Sequence, residues 1–312
     1  MTGARTVGPD GILAGLIERR PELEPVTGQV QAAFELLRDS FAGGHKLLAC
    51  GNGGSAADAG HIVGELMKGM SRRRPLPRRE AAAFDVLASG EQRDYLLAHL
   101  EQALPSIDLG SHQALLSAIG NDTAGDMGFA QQVVGYGRPG DVLWGLSTSG
   151  RSRNVNLAAA TARARGLSVL AFTGHAPSTL SELADVAVRV PAIATPHVQE
   201  FHISIYHALC EMLETFFFAR IDATGLSTNN VNKGKGFTDE NLPYHQSQTR
   251  HDWLDRGGPG GRARRVGLQR VFRQQQRRET NPGHHRAVQR ADLQHPGQLV
   301  EGSGGRVQKN AS

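Results

Sequence analysis

Cysteine is nearly absent from this sequence: 312 residues carry two, Cys50 and Cys210, each inside an apolar run. A disulfide scaffold is excluded, and both read as reduced core thiols. Long apolar runs are missing as well. No stretch approaches the roughly 18 apolar residues of a membrane-spanning helix. The opening MTGARTVGPDG has no apolar core of the kind a signal peptide carries. These absences point to a soluble, cytoplasmic protein. Aromatics make up only 5 % of the chain, against 38 glycines, which favours an Ala/Gly/Leu/Val-packed fold over an aromatic-rich sandwich. The length allows one large core or two modest ones.

The net charge of +4 is not a property of the whole chain. Residues 251–312 hold 12 Lys+Arg against 5 Asp+Glu, a net of +7, whereas residues 1–250 hold 22 against 25, a net of −3. Basicity in the tail therefore gives no reason to expect nucleic-acid binding by the rest. Composition breaks near residue 223. Beyond it come GLSTNNVNKGKG, RGGPGGRARR and VFRQQQRRETNPGHH, with few aliphatics and no sustained period. Such a segment buries too little surface to offset its chain entropy, so residues 223–312 are expected to be a disordered, low-complexity basic tail. It lacks the interleaved aromatics on which bases stack. The expected organisation is an N-terminal extension over 1–25, one domain over 26–222, and the tail.

Within 26–222 the pattern alternates. Residues 27–42 read as an amphipathic helix, 46–50 (KLLAC) as a short buried strand, and 55–68 as a helix. A polar, charged insertion covers 71–93, with a short helix over 94–103. Then come SIDL, helices over 111–119 and 124–136, strand 141–147 (DVLWGLS) and helix 154–165. Strand 168–172 (SVLAF), helix 178–184, strand 185–190 (DVAVRV) and a long helix over 196–218 complete it. Wholly apolar strands separated by helices predict a parallel sheet covered on both faces, an α/β three-layer architecture. Ligands of such sheets bind outside the carboxyl ends of the strands.

Two strand ends stand out. GNGGSAADAGH follows strand 46–50. Gly51, Gly53 and Gly54 permit close approach of a ligand and positive φ, and Ser55 is placed to cap the next helix, whose N-terminus favours an anion. The spacing is neither a dinucleotide fingerprint nor a P-loop, so an ordinary Gly-rich turn is the competing reading. STSGRSRN follows strand 141–147. Ser147, Thr148, Ser149 and Ser152 put four hydroxyls at one helix N-terminus, which suits a phosphate monoester held by neutral donors. A capped turn with spare serines is the alternative.

His61 and Glu65 share a helix face at i, i+4. They can ligate a divalent metal, act as an acid/base pair, or form an ordinary surface pair. On the long last helix, Gln199 and His207 are eight residues apart, about 80° around and roughly 12 Å along a regular helix. A single metal between them would need both side chains stretched toward each other. Alone, His207 reads more readily as a satisfied core histidine.

Taken together, CGNGGSAADAGH with Glu65, AIGND, STSGRSRN and TPHVQEFHISIYH occur in an order that resembles the sugar isomerase (SIS) domain proteins, most closely the phosphoheptose isomerases. The resemblance covers roughly residues 25–220. It implies a flavodoxin-like fold with a mainly five-stranded parallel sheet and a ketose–aldose isomerase that interconverts sedoheptulose 7-phosphate and a mannoheptose 7-phosphate. It also implies a homotetramer with active sites at subunit interfaces. By position, Asn52, Gly53, Gly54, Ser55, Asn121, Asp122 and Gln199 would contact substrate, and Ser147, Thr148, Ser149 and Ser152 would hold its phosphate. His61, Glu65, Gln199 and His207 would bind zinc, with Glu65 and His207 transferring protons. Two departures are visible: residues 71–103 are longer than in the typical short member, and Gly60 stands where the family usually has Gln. Related isomerases of antibiotic pathways use other ketose phosphates, and non-enzymatic SIS proteins bind a replication initiator or sense a sugar phosphate. The joint presence of His61, Glu65, Gln199 and His207 favours the enzyme.

Overall fold

The computed structural model describes residues 8–87 and 89–218; the expected tail over 223–312 lies outside them. In chain order the elements are α1 (Pro9–Arg19), a 3-10 turn (Pro21–Val26), α2 (Thr27–Ala42), β1 (Leu47–Cys50) and α3 (Gly54–Met67). Next are α4 (Arg78–Ala82), a second 3-10 turn (Ala83–Val86), α5 (Gly90–His99), β2 (Ser106–Asp108), α6 (Gln113–Asp122) and α7 (Gly128–Tyr136). The chain then forms β3 (Val142–Leu146), α8 (Arg153–Ala164), β4 (Ser168–Thr173), α9 (Thr179–Leu183), β5 (Val186–Arg189) and α10 (Thr195–Phe218).

The five strands make one wholly parallel sheet in the order β2-β1-β3-β4-β5. Their alternation divides the core. Leu47, Ala49, Trp144, Leu170 and Phe172 face one side and pack with residues of α1, α2, α3 and α10. Leu48, Cys50, Leu143, Val169 and Ala171 face the other and pack with α7, α8 and α9. This is the period-two geometry of a strand buried on both faces. The expected three-layer α/β fold is therefore present. Both cysteines are free and buried, and burial pushes the Cys50 thiol up to about 12.

From β1 the chain crosses to β2 on one side, then passes over to β3 on the other and continues to β4 and β5. The order thus reverses between β1 and β3. At such a reversal the loops after the two strands lead to opposite faces of the sheet, and the strands' carboxyl ends are where parallel sheets of this kind take ligands. These loops are the two marked by glycines and hydroxyls.

Two regions depart from the sequence reading. Residues 9–19, inside the expected N-terminal extension, form a helix whose Ile12, Leu13 and Leu16 are buried in the same core as α10. The polar insertion is an excursion closed at its base, where Pro75 bridges Glu101 and Gln102 N donates to Arg74 O at 2.7 Å. Its α4, 3-10 turn and α5 contribute no buried residue. α5 begins at Gly90 rather than 94 because Ser89 Oγ accepts from Gln92 N and caps it. Arg74, however, is not a surface charge. It is fully buried and donates to the equally buried Glu214 on α10 at 2.9 Å. It also donates to Leu66 O at 2.9 Å and Glu65 O at 3.1 Å, satisfying carbonyls at the end of α3 that have no intrahelical partner.

Candidate active site

The first loop depends on two glycines. A Cβ at Gly51 would fall 2.4 Å from Ser55 O, so only glycine lets the chain leave β1 and double back into α3. Gly53 has φ +56° and is the N-cap, a conformation that L side chains rarely adopt. This left-handed step starts the helix at Gly54, one residue earlier than expected. Ser55 consequently does not cap: it lies buried in the first turn, and no side chain caps this end of α3. The uncapped N-terminus leaves backbone donors for a ligand.

In the second loop, Ser147 is buried at the end of β3, with its N–H donating to Phe172 O at 3.0 Å. Its hydroxyl lies 3.0 Å from that of Ser152. Ser149 Oγ accepts from Arg151 N at 3.2 Å, and Thr148 Oγ1 lies 3.4 Å from Thr195 Oγ1. Gly150, at φ +63°, passes so close to Ser178 that a Cβ would fall 1.9 Å from its Oγ. Ser152 is the N-cap of α8 but makes no side-chain cap bond. The hydroxyls thus gather where α8 begins and where Thr195 opens α10, so two helix N-termini face one small polar loop. Asn52 and Asn154 join the two loops by reciprocal amide bonds of 2.9 and 2.8 Å.

α3 and α10 lie side by side, pointing the same way: Gln199 sits against Gly54 and His207 against His61. His61 Nε2 is 3.1 Å from Glu65 Oε1 and 3.4 Å from His207 Nε2. One ligand atom from each of the three lies within 4.8 Å of the others. Two imidazoles and a carboxylate at these separations suit a divalent cation with nitrogen and oxygen ligands about 2.0–2.2 Å away. The His207 imidazole is held below its ordinary pKa by burial and by neighbouring His61, partly opposed by Glu65. That keeps its lone pair available near neutral pH. His61, Glu65 and His207 thus make up a cluster that could hold a metal ion. Gln199 stands at the other end of the α3–α10 seam, its amide against the first loop: a Cβ at Gly54 would fall 2.4 Å from its Nε2. The eight-residue spacing spreads Gln199 and His207 along that seam, as regular helix geometry requires.

Asn121 and Asp122 sit exposed at the end of α6, where Asn121 Nδ2 donates to Asp122 Oδ1 at 2.7 Å. Among the described residues, neither hydrogen-bonds to either loop. The α6–α7 connection is nevertheless tied to the start of α8 by the Arg153–Asp126 ion pair.

Three contributors escaped the sequence reading. Asn154 was visible only as the last letter of STSGRSRN. Tyr206, fully buried, places its hydroxyl 2.9 Å from His61 Nδ1 and 3.4 Å from Asp58 Oδ1. Its phenol is pushed well up by burial and by Asp58, and burial also raises the Asp58 carboxyl. Asp58 at i−3 from His61 was the available signal.

The reversed strand order, the hydroxyl loop and the glycine loop define a sugar isomerase (SIS) domain, and the family described as the SIS domain matches residues 22–96 and 96–174. Among curated proteins, the chain is 36 % identical over 193 residues to the phosphoheptose isomerase of Synechocystis sp., covering 62 % of this chain and 86 % of the relative. It is 37 % identical over 213 residues to that of Geobacter sulfurreducens, covering 67 % and 98 %. Among solved structures, the phosphoheptose isomerase of Neisseria gonorrhoeae matches with a TM-score of 0.50 at 32 % identity, over 65 % of this chain and 94 % of that one. That of Francisella tularensis matches with a TM-score of 0.51 at 25 % identity, over 66 % and 96 %. The chain belongs to the phosphoheptose isomerase family.

Proposed function

We propose that this chain converts sedoheptulose 7-phosphate to D-glycero-D-mannoheptose 7-phosphate in heptose biosynthesis. It is an aldose–ketose isomerase, and the observation that carries the reading is the pairing of a hydroxyl-lined loop with a His/Glu cluster.

Ser147, Thr148, Ser149 and Ser152 hold the distal phosphate by their hydroxyls, with the α8 and α10 N-termini supplying partial positive charge. Asn52, Gly53, Gly54, Ser55 and Gln199 line the path of the sugar toward His61. Anchoring the phosphate at one end fixes the reacting carbons at the other. Glu65 takes the proton from C1 of the ketose, and His207 protonates the oxygen on C2, giving an enediolate-type intermediate. Returning a proton to C2 while the oxygen on C1 loses its own completes the aldose. His61, Glu65 and His207 are the residues that would hold zinc, which would supply Lewis-acid polarisation of the substrate's oxygens when bound. Gln199, expected in the same ligand set, lies instead against the first loop.

The same reading includes a cytoplasmic homotetramer with sites at subunit interfaces. The exposed Asn121 and Asp122 support it, because within one chain they reach neither loop. No helix among the described residues is long and apolar enough to cross a membrane. Neither nucleic acid nor a membrane is a partner in this reading.

The test is incubation of purified protein with sedoheptulose 7-phosphate, with and without chelator, followed by NMR of the products. Aldose phosphate that forms only without chelator is the expected result. Absence of product from metal-loaded, folded protein would overturn the substrate and point to another ketose phosphate or to binding without turnover.

A further inference from the structure

The Tyr206 hydroxyl lies between two groups on one face of α3, His61 Nδ1 at 2.9 Å and Asp58 Oδ1 at 3.4 Å. A carboxylate can only accept, and a phenol has one proton to give. With Asp58 as a carboxylate, both contacts of the phenol are satisfied when it donates to Asp58 and its oxygen accepts from His61 Nδ1–H. A phenol that donated to Nδ1 instead would leave its Asp58 contact unmade and put the His61 proton on Nε2, toward Glu65. The proton on Nδ1 leaves Nε2 bare, and Nε2 is the atom that faces Glu65 Oε1 at 3.1 Å and His207 Nε2 at 3.4 Å. With the opposite tautomer, His61 would turn an N–H toward the cluster and could not ligate. The Tyr206 ring also stands edge-on to the imidazole, centroids 5.5 Å apart at 73°, which restrains rotation about the side chain.

We propose that Tyr206, backed by Asp58, is a positioning residue that holds His61 as the Nδ1–H tautomer with its Nε2 lone pair directed into the ligand cluster. The inference rests on reading His61, Glu65 and His207 as metal ligands. Histidine ligands are commonly oriented through their second nitrogen, and loss of such a partner weakens metal binding. Here the partner is a buried phenol on a different helix, so it also registers α10 against α3.

Two readouts test this in Tyr206→Phe, which keeps the ring and removes only the hydroxyl. Zinc affinity, measured by competition with a chromogenic chelator, is expected to fall about 10- to 100-fold. In metal-free protein carrying 15N-labelled histidine, the His61 signal, assigned by its loss in His61→Asn, is expected to change from Nδ1–H in the native protein toward Nε2–H in the variant. A merely space-filling tyrosine would move neither. Asp58→Ala provides the same two measurements without touching the buried ring, should the phenylalanine variant fold poorly. Native His61 found as Nε2–H, or unchanged affinity and tautomer in both variants, would overturn the proposal. A native protein that binds no zinc yet loses its Nδ1–H tautomer in Tyr206→Phe would uphold the positioning and overturn only the metal reading.

Discussion

Asn52 and Asn154 exchange two amide hydrogen bonds, 2.9 and 2.8 Å long, across 102 residues of sequence. They clip the glycine loop after β1 to the first turn of α8, where Asn154 Oδ1 also accepts from Val155 N at 3.0 Å. The relative placement of the two loops thus depends on one side-chain pair. Asn154→Ala is expected to lower kcat/KM by about 10- to 100-fold, the scale of a small misplacement of bound groups. Asn52 is exposed and Asn154 only half-buried, so the melting temperature is expected to change little. Steady-state kinetics and a thermal melt check this; unchanged kinetics with a lowered melt would make the clip structural only.

Glu65 lies 3.1 Å from His61 Nε2 and is the carboxylate nearest His207 in the ligand cluster. Glu65→Gln keeps the shape and removes the base. Turnover is expected to fall by about 10²- to 10⁴-fold, with substrate affinity retained by calorimetric titration. A variant with near-native kcat would remove Glu65 from the proton-transfer role.

Arg74 and Glu214 form an ion pair with neither side chain exposed. Glu214 also accepts from Met70 N at 2.8 Å and Ser71 N at 2.9 Å, so the pair knots the end of α3 to α10. Arg74→Met leaves the Glu214 charge uncompensated and is expected to cost about 3–5 kcal/mol of unfolding free energy. Arg74→Met combined with Glu214→Leu is expected to cost less than the single change. Urea unfolding of the native protein, both single variants and the double variant decides it; an additive double variant would show that the two side chains are not coupled.

His202 on α10 is buried at the end of β4, its Nε2–H donating to Thr173 O at 3.3 Å. Burial pushes its pKa down to about 4. The unfolded chain takes up a proton near pH 6.5 while the folded one does not, so this contribution is intact above about 6.5 and lost as pH falls toward 4. The loss amounts to about 3 kcal/mol. Urea unfolding between pH 7 and 4.5 should show that decline, and His202→Gln should flatten it. Parallel curves for the two proteins would mean that other groups govern acid stability.

Much of the fold was legible because parallel strands buried on both faces are written as short apolar runs. β1, β3, β4 and β5 fell within a residue or so of KLLAC, DVLWGLS, SVLAF and DVAVRV. The pairing of His61 with Glu65 followed from helix periodicity alone. Ser55 was misread as a cap because the sequence shows which residue can cap, whereas the cap position depends on where Gly53 turns left-handed. Arg74, within the stretch read as a polar, charged insertion, was not legible as a core residue because its partner is 140 residues away. Charge in a polar stretch reads as solvated until a buried counter-ion is known.

Residue type and local spacing determined the alternating α/β pattern, the two loops rich in glycine and hydroxyls, and the helix face carrying His61 and Glu65, since each depends on neighbours a few positions apart. Only the tertiary structure decided that β1 and β3 are adjacent, that Asn52 meets Asn154, and that Tyr206 and His207 arrive beside His61. These contacts join segments 95 or more residues apart, whose meeting is set by the strand order and by how α3 and α10 pack on one face of the sheet.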